Sequence, residues 1–159
     1  MSNSHAGAAR GLGQPPLAER GRRILDGSLP GPPIAQLVGF EAVALEPGRA
    51  VFELETDLER HANPMGTLHG GILCDLADAA MGFAYASTLG EGETFTTLEL
   101  KINFLRPVWR TRLRAIGHVV QRGRTVGLVE CDITDAHDRL VARASSTCMT
   151  LRDAQAAGR

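Results

Sequence analysis

The stretch that most constrains the fold runs from Gly70 to Ser87, GGILCDLADAAMGFAYAS. Between Ile72 and Ser87 only Asp75, Asp78 and Ser87 are plainly polar. The run is longer than a typical strand and alanine is its commonest residue, so it reads as a helix, ended by Gly90-Glu91-Gly92-Glu93. A helix apolar on nearly every side has to be enclosed by other structure. The rest of the chain must supply the wrapping, and its periodicity says that the wrapping is a sheet.

Phe40–Leu45 and Arg49–Thr56 flank Glu46-Pro47-Gly48, a turn tripeptide, and predict a hairpin. Residues 57–69 read as a loop broken by Asn-Pro and Gly. After Gly92 the period becomes two. In Thr96–Phe104, Leu98, Leu100, Ile102 and Phe104 share one face, while Thr97, Glu99, Lys101 and Asn103 share the other, and Arg106-Pro107 closes the strand. Arg112–Gln121, Thr125–Asp135 and Leu140–Leu151 follow as three strands, joined through Arg122-Gly123-Arg124 and Ala136-His137-Asp138-Arg139 into an antiparallel meander. Two strands, one buried helix and four strands predict an α+β domain in which a curved antiparallel sheet wraps one long helix. Residues 1–18 are expected to be a flexible tail, 19–34 a short helix with a Pro-rich lead-in, 35–152 the domain and 153–159 a C-terminal tail.

A chain of 159 residues fits one domain. With 43 % hydrophobic and 22 % charged residues it is not of the disordered class, and with only 4 % aromatics its core must be built from Ala, Leu, Val and Ile. No apolar run approaches the roughly 20 residues of a membrane-spanning helix, and the first residues lack the apolar stretch of a secretory signal. A cytoplasmic protein without membrane contact is expected. Cys74, Cys131 and Cys148 match neither a disulfide framework nor a metal pair and read as small buried hydrophobes. The histidines show no metal-ligand spacing, so no metal is expected.

Charge is uneven. Residues 41–99 carry eleven acids against two arginines, whereas residues 100–129 carry seven basic residues and no acid. The basic stretch is either a solvated face or an anion site. The scarcity of aromatics and of nucleic-acid motifs points away from nucleic acid and toward a small phosphorylated ligand.

The chemistry concentrates in Asn63-Pro-Met-Gly-Thr-Leu-His69-Gly70-Gly71, which opens the helix, and in Asp75 and Asp78 within it. The first N–H groups of a helix lack internal partners, and the helix dipole makes that end electropositive. Gly70 and Gly71 either form a plain helix entrance or let a carbonyl approach the amides and shed its developing charge there. Asp78 is a solvated residue, an ion-pair member, or a nucleophile or general base. Asp75, nearer the positive helix end, reads as structural. His69 either caps the helix or donates to a carbonyl. Asn63 reads as a turn residue, and Thr97 carries no signal of its own. Gly70 and Asp78 stand roughly 12 Å apart along the axis at ~1.5 Å per residue. If both act on one substrate, they come from two chains related by a two-fold axis.

These residues, at these spacings, resemble the hotdog-fold acyl-CoA thioesterases of the PaaI type, the phenylacetate-pathway group related to 4-hydroxybenzoyl-CoA thioesterase. The resemblance covers about residues 35–151. It is carried by Asn63 to Asp78, by Thr97 to Pro107, and more weakly by Arg122-Gly-Arg-Thr125 and the last strand from Ala142 to Thr150. It implies hydrolysis of an acyl-CoA to a free acid and coenzyme A, without metal or cofactor. It implies a homodimer, often paired into a tetramer, with shared sites. By position, Asp78 matches the family's essential carboxylate, and Gly70 the amide that polarises the thioester carbonyl. His69 and Asn63 match assisting groups, and Thr97 a hydroxyl residue beside the carboxylate. Arg106, Arg122, Gly123 and Arg124 are then expected to meet the phosphates of coenzyme A. The rival readings are a hydratase or dehydratase on the same fold, and a non-catalytic acyl-CoA-binding protein.

Overall fold

The structure is a computed structural model that describes residues 16–152 and 155–156. The element order is α1 (Leu17–Leu25), α2 (Pro33–Val38), β1 (Phe40–Glu46), β2 (Arg49–Glu55), α3 (Leu58–His61), α4 (Gly70–Ala86), β3 (Thr94–Phe104), β4 (Arg112–Arg122), β5 (Val126–Thr134) and β6 (Leu140–Leu151). The six strands form one antiparallel sheet in the order β1-β2-β4-β5-β6-β3. β4, β5 and β6 make the expected meander, and β3 reaches across to pair with β6 at the sheet's edge. Of the tails, residues 1–15, 153–154 and 157–159 lie outside the described residues.

α4 lies against the inner face of the sheet. Leu76, Ala77, Ala80, Met81, Ala84 and Tyr85 are all essentially inaccessible, packed on Phe52, Leu113, Ala115, Val129 and Cys131. Two glycines let the helix come this close. A Cβ on Gly117 of β4 would stand 2.4 Å from the Ala80 carbonyl oxygen, and one on Gly127 of β5 2.6 Å from the Tyr85 ring. At the helix end, Ser87 Oγ donates to the Ala84 carbonyl at 2.7 Å and accepts from the Gly48 N–H at 2.8 Å, tying α4 to the β1–β2 turn. Burial of this order, at about 25 cal/mol per Å² of apolar surface, is the main term holding helix and sheet together.

The helix is not enclosed on every side. Asp78 is exposed, and Cys74, Asp75, Ala79, Gly82 and Phe83 are half-buried, which leaves an outward stripe along α4. α1 covers the C-terminal half of that stripe, and the N-terminal half stays open.

Sequence patterning missed two short helices. The prolines expected to end helical structure instead start α2, with Pro33 in its first turn, where the absent N–H costs nothing, and Gly39 closes it in the left-handed region at φ 94°. Within the expected loop 57–69, Asp57 accepts from the Glu59 N–H at 3.0 Å and caps the single turn of α3.

The face assignment on β3 is also corrected. Thr97 pairs with Cys148 and Glu99 with Thr147, so Leu98 is a bulge. The extra residue turns the alternation over. Thr97 therefore shares the inner face with Leu100 and Ile102, whose partners Ser146 and Ala144 are buried, while Leu98 is 52 % exposed.

Candidate active site

The bulge brings Thr97 to Asp78. Its Oγ1 donates to Asp78 Oδ1 at 3.2 Å. The carboxylate opens to solvent, but the apolar walls around it desolvate it and push its pKa above the ordinary aspartate value, against the opposing pull of the Thr97 hydrogen bond. Asp75, one turn earlier, is also raised, by desolvation and then by the Asp78 charge. A carboxylate held ready to accept a proton, beside one hydroxyl donor, is the equipment of a general base or nucleophile.

The other half of the site sits at the start of α4. His69 is the N-cap, and its Nδ1 accepts from the Gly71 N–H at 2.8 Å. That bond puts the proton of the neutral ring on Nε2, on an exposed side chain, so capping and donation coexist in one residue. The Gly70 N–H forms no hydrogen bond among the described residues. Only glycine fits there without displacement, because a Cβ would stand 2.9 Å from Phe104 Cζ. Asn63 is first a turn residue. Its Oδ1 accepts from the Met65 N–H at 2.9 Å and the Thr67 N–H at 3.2 Å, and its Nδ2 donates to Thr67 Oγ1 at 2.8 Å. Leu68 N–H to Val108 O and His69 N–H to His61 O, both 2.8 Å, hold this loop in place.

Asn63, Gly70, Phe104 and Arg106 line a cavity of about 300 Å³. Asp78 does not reach it. It lines a separate, mainly apolar cavity of about 260 Å³ under α1, with Gly82, Phe83 and Phe95. Of the residues singled out by sequence, Asn63, Gly70 and Arg106 line one cavity and Asp78 the other; Thr97 joins Asp78 through its hydrogen bond, and His69 adjoins Gly70 as the helix cap.

The arginines divide likewise. Arg106 borders the Gly70 cavity and a neighbouring basic cavity of about 300 Å³ with Trp109, Arg110, His137 and Arg139. Sequence reading left Trp109 and His137 without a role, and nothing in their local pattern marks them. Arg122, Gly123 and Arg124 sit by the β4–β5 turn at the opposite end of the sheet, roughly 30 Å away at ~3.3 Å per residue along β3. Arg122 is engaged within the chain, by Glu93 at 2.9 Å and over the Tyr85 ring at 5.7 Å. The Gly123 N–H donates to the Val126 carbonyl at 2.9 Å, and Arg124 is exposed.

Cys131 and Cys148 are buried as expected, whereas Cys74 is half-buried on the outward stripe of α4. Burial pushes Cys131 up to about 12 and Cys148 up to about 11. Among the described residues no group of three ligating side chains forms a metal site, and no helix is long and apolar enough to cross a membrane.

Comparison with known proteins agrees with this architecture. The model of the thioesterase superfamily matches residues 65–142. A protein of Saccharolobus solfataricus named as a candidate esterase is 36 % identical over 119 residues, covering 75 % of this chain and 84 % of that one. The 1,4-dihydroxy-2-naphthoyl-CoA hydrolase of Listeria monocytogenes is 30 % identical, over 68 % of this chain and 87 % of its own. The crystal structure of a thioesterase family protein from Silicibacter pomeroyi superposes with a TM-score of 0.75 at 27 % identity, covering 84 % of this chain and 99 % of that one.

Proposed function

Since the chain belongs to the thioesterase superfamily and is a thioester hydrolase of hotdog fold, we propose that its substrates are acyl-CoA thioesters, hydrolysed at a site shared by two copies of the chain. The observation that carries this reading is the division of the site. The uncommitted Gly70 amide and the Asp78 carboxylate open into different cavities of one chain and lie about 12 Å apart along one helix axis. Two α4 helices packed antiparallel across a two-fold axis would bring each start to the other's middle, twice. The open N-terminal half of the α4 stripe supports this, as does β3, an edge strand with Leu98 and Phe104 more than half exposed. Pairing such dimers into a tetramer extends the same proposal.

In this mechanism the Gly70 N–H of one chain holds the thioester carbonyl, with His69 Nε2 and the second Nδ2 hydrogen of Asn63 beside it. Asp78 of the other chain, fixed by Thr97, takes a proton from water as the water oxygen adds to the carbonyl carbon. The C–S bond then breaks, and the proton passes to the departing thiolate, leaving a free acid and the coenzyme A thiol. Direct attack by the Asp78 carboxylate, followed by hydrolysis of the anhydride, uses the same geometry. Arg106 is the phosphate contact nearest the Gly70 cavity. Arg124 would reach the same ligand from the second chain, and Arg122 and Gly123 shape its turn. A hydratase would need His69 and Asp78 as an acid–base pair; with His69 Nδ1 spent on the helix cap, the neutral ring has only the Nε2 N–H to offer, a donor to a carbonyl, which suits hydrolysis better.

The test is thiol release over a panel of acyl-CoAs, with Asp78→Asn beside the wild type. We expect the variant to stay folded and lose activity by about 10³-fold or more, the scale of removing a catalytic base or nucleophile. Undiminished turnover would remove Asp78 from the mechanism.

A further inference from the structure

Thr97 reaches Asp78 only because β3 carries the bulge at Leu98. Strict alternation counted back from Leu100 and Ile102 would turn Leu98 inward and Thr97 outward. The apolar pattern of the strand favours that arrangement, since the bulge leaves Leu98 52 % exposed. A bulge also disrupts the ladder where it sits, and side chains take over the bonding here. Glu99, the first residue after the bulge, makes two hydrogen bonds to β6. Its carbonyl accepts from the Ser146 hydroxyl at 2.7 Å, and its Oε1 accepts from the Thr147 N–H at 2.8 Å. Ser146 is 1 % exposed, so its hydroxyl has no recourse to water, and an unpaired buried donor is costly. On the other side of the bulge Thr97 lies opposite Cys148, which is fully buried. Consecutive residues of β6 thus grip β3 on both sides of the extra residue.

We propose that Ser146 and Glu99 are positioning residues for hydrolysis, pinning the bulge at Leu98 so that the Thr97 hydroxyl stays on the Asp78 carboxylate. The inference deepens the function proposed above and rests on it. Neither residue borders the cavities that Asp78 and Gly70 line. Their influence passes through the backbone of β3 to Thr97, and from Thr97 to Asp78 through the 3.2 Å hydrogen bond. With either pin removed, the pull to bury Leu98 is less opposed, β3 relaxes toward plain alternation, and the Thr97 hydroxyl swings away. Asp78 then loses the hydrogen bond that favours its ionised form. The two pins differ in a useful way. Ser146 is buried, whereas Glu99 is exposed, so its side chain can be changed without disturbing the core. Gln at position 99 keeps an oxygen to accept from the Thr147 N–H and drops the charge; Ala drops both.

The experiment measures kcat, KM and the pH profile of kcat/KM by thiol release, using the full-length chain and the acyl-CoA it turns over fastest. Glu99→Ala, Glu99→Gln and Ser146→Ala are each made alone and in a Thr97→Val background, with thermal unfolding as the folding control. Glu99→Ala and Ser146→Ala should lower kcat by about tenfold, within the up to 10²-fold that a displaced group costs, with KM little changed. Both should move the acid limb of the profile to higher pH, as Thr97→Val does. Glu99→Gln should keep kcat within about twofold of the wild type. In the Thr97→Val chain, which already lacks the hydroxyl, neither alanine change should lower kcat by more than about twofold further. If Ser146→Ala fails to fold, the Glu99 pair decides. Folded Glu99→Ala with wild-type kcat and an unmoved limb, or losses that repeat in full in the Thr97→Val background, would overturn the pins. With Asp78→Asn inactive, that result leaves the hydrolytic site standing. Undiminished turnover by Asp78→Asn, or no thiol release by the wild type from any acyl-CoA, would overturn the proposed site and the pins with it.

Discussion

Replacing Gly70 by proline deletes one N–H group and little else. Gly70 is the first residue of α4, with His69 as N-cap at φ −67°, ψ 134°. That is the backbone region a residue before proline prefers, and the first helical position is where proline is best tolerated. The new Cβ would press on Phe104 Cζ at 2.9 Å, but that ring is 54 % exposed and can turn away. Gly70→Ala adds the same Cβ and keeps the amide, so the difference between the two variants isolates the donor. If that donor stabilises the developing oxyanion, its loss costs about 10²–10³ in kcat, roughly 2.7–4 kcal/mol of barrier. The alanine variant should lose only a few-fold. KM should change little in either, because the interaction strengthens in the transition state. The assay is initial-rate thiol release with a preferred acyl-CoA, alongside circular dichroism and thermal unfolding. Equal rates for the two folded variants would refute the reasoning that the Gly70 amide acts on the substrate.

Thr97→Val removes the 3.2 Å hydrogen bond that favours ionised Asp78. Asp78 must be ionised to act, so kcat/KM falls on the acid side as it protonates, and the loss of Thr97 should move that acid limb to higher pH. An unmoved limb in the kcat/KM–pH profile would separate Thr97 from the carboxylate's titration. Gly117→Ala places a Cβ 2.4 Å from the Ala80 carbonyl oxygen, backbone that cannot yield unless α4 lifts from β4. Overpacking of this kind costs about 1–3 kcal/mol, and at roughly 2–4 °C per kcal/mol for a chain of this size the Tm should drop by several degrees; an unchanged Tm would contradict the packing described.

Most of the scaffold was legible because the two hydrophobic periods are clean. The Gly70–Ser87 run and the three meander strands emerged within a residue or two of their ends, since burial on one side of a sheet forces the alternation. What escaped were features set by local geometry. The bulge at Leu98 has no signature in an alternating run, so Thr97 read as facing away from the helix when register puts it against Asp78. Pro33 read as a terminator because proline ends and begins helices equally well. Asn63, His69 and Gly70 were visible as a constellation, yet the capping bond to His69 Nδ1 and the Asx turn of Asn63 appear only once the backbone is placed. The basic run around Arg106 and Arg122 looked like one patch in sequence. The antiparallel fold sends its two halves to opposite ends of the sheet, and Glu93, far along the chain, claims Arg122.

The measurement that bears most directly on the shared site is complementation between dead variants. Gly70→Pro and Asp78→Asn chains, each inactive alone, are unfolded together and refolded as an equal mixture. If each site takes Gly70 from one chain and Asp78 from the other, half of the dimers are mixed and each carries one intact site, so about a quarter of wild-type activity returns. A mixture that assembles into mixed dimers, shown by differential tagging, and stays as inactive as its parents would mean that the two groups act within one chain, contrary to this account.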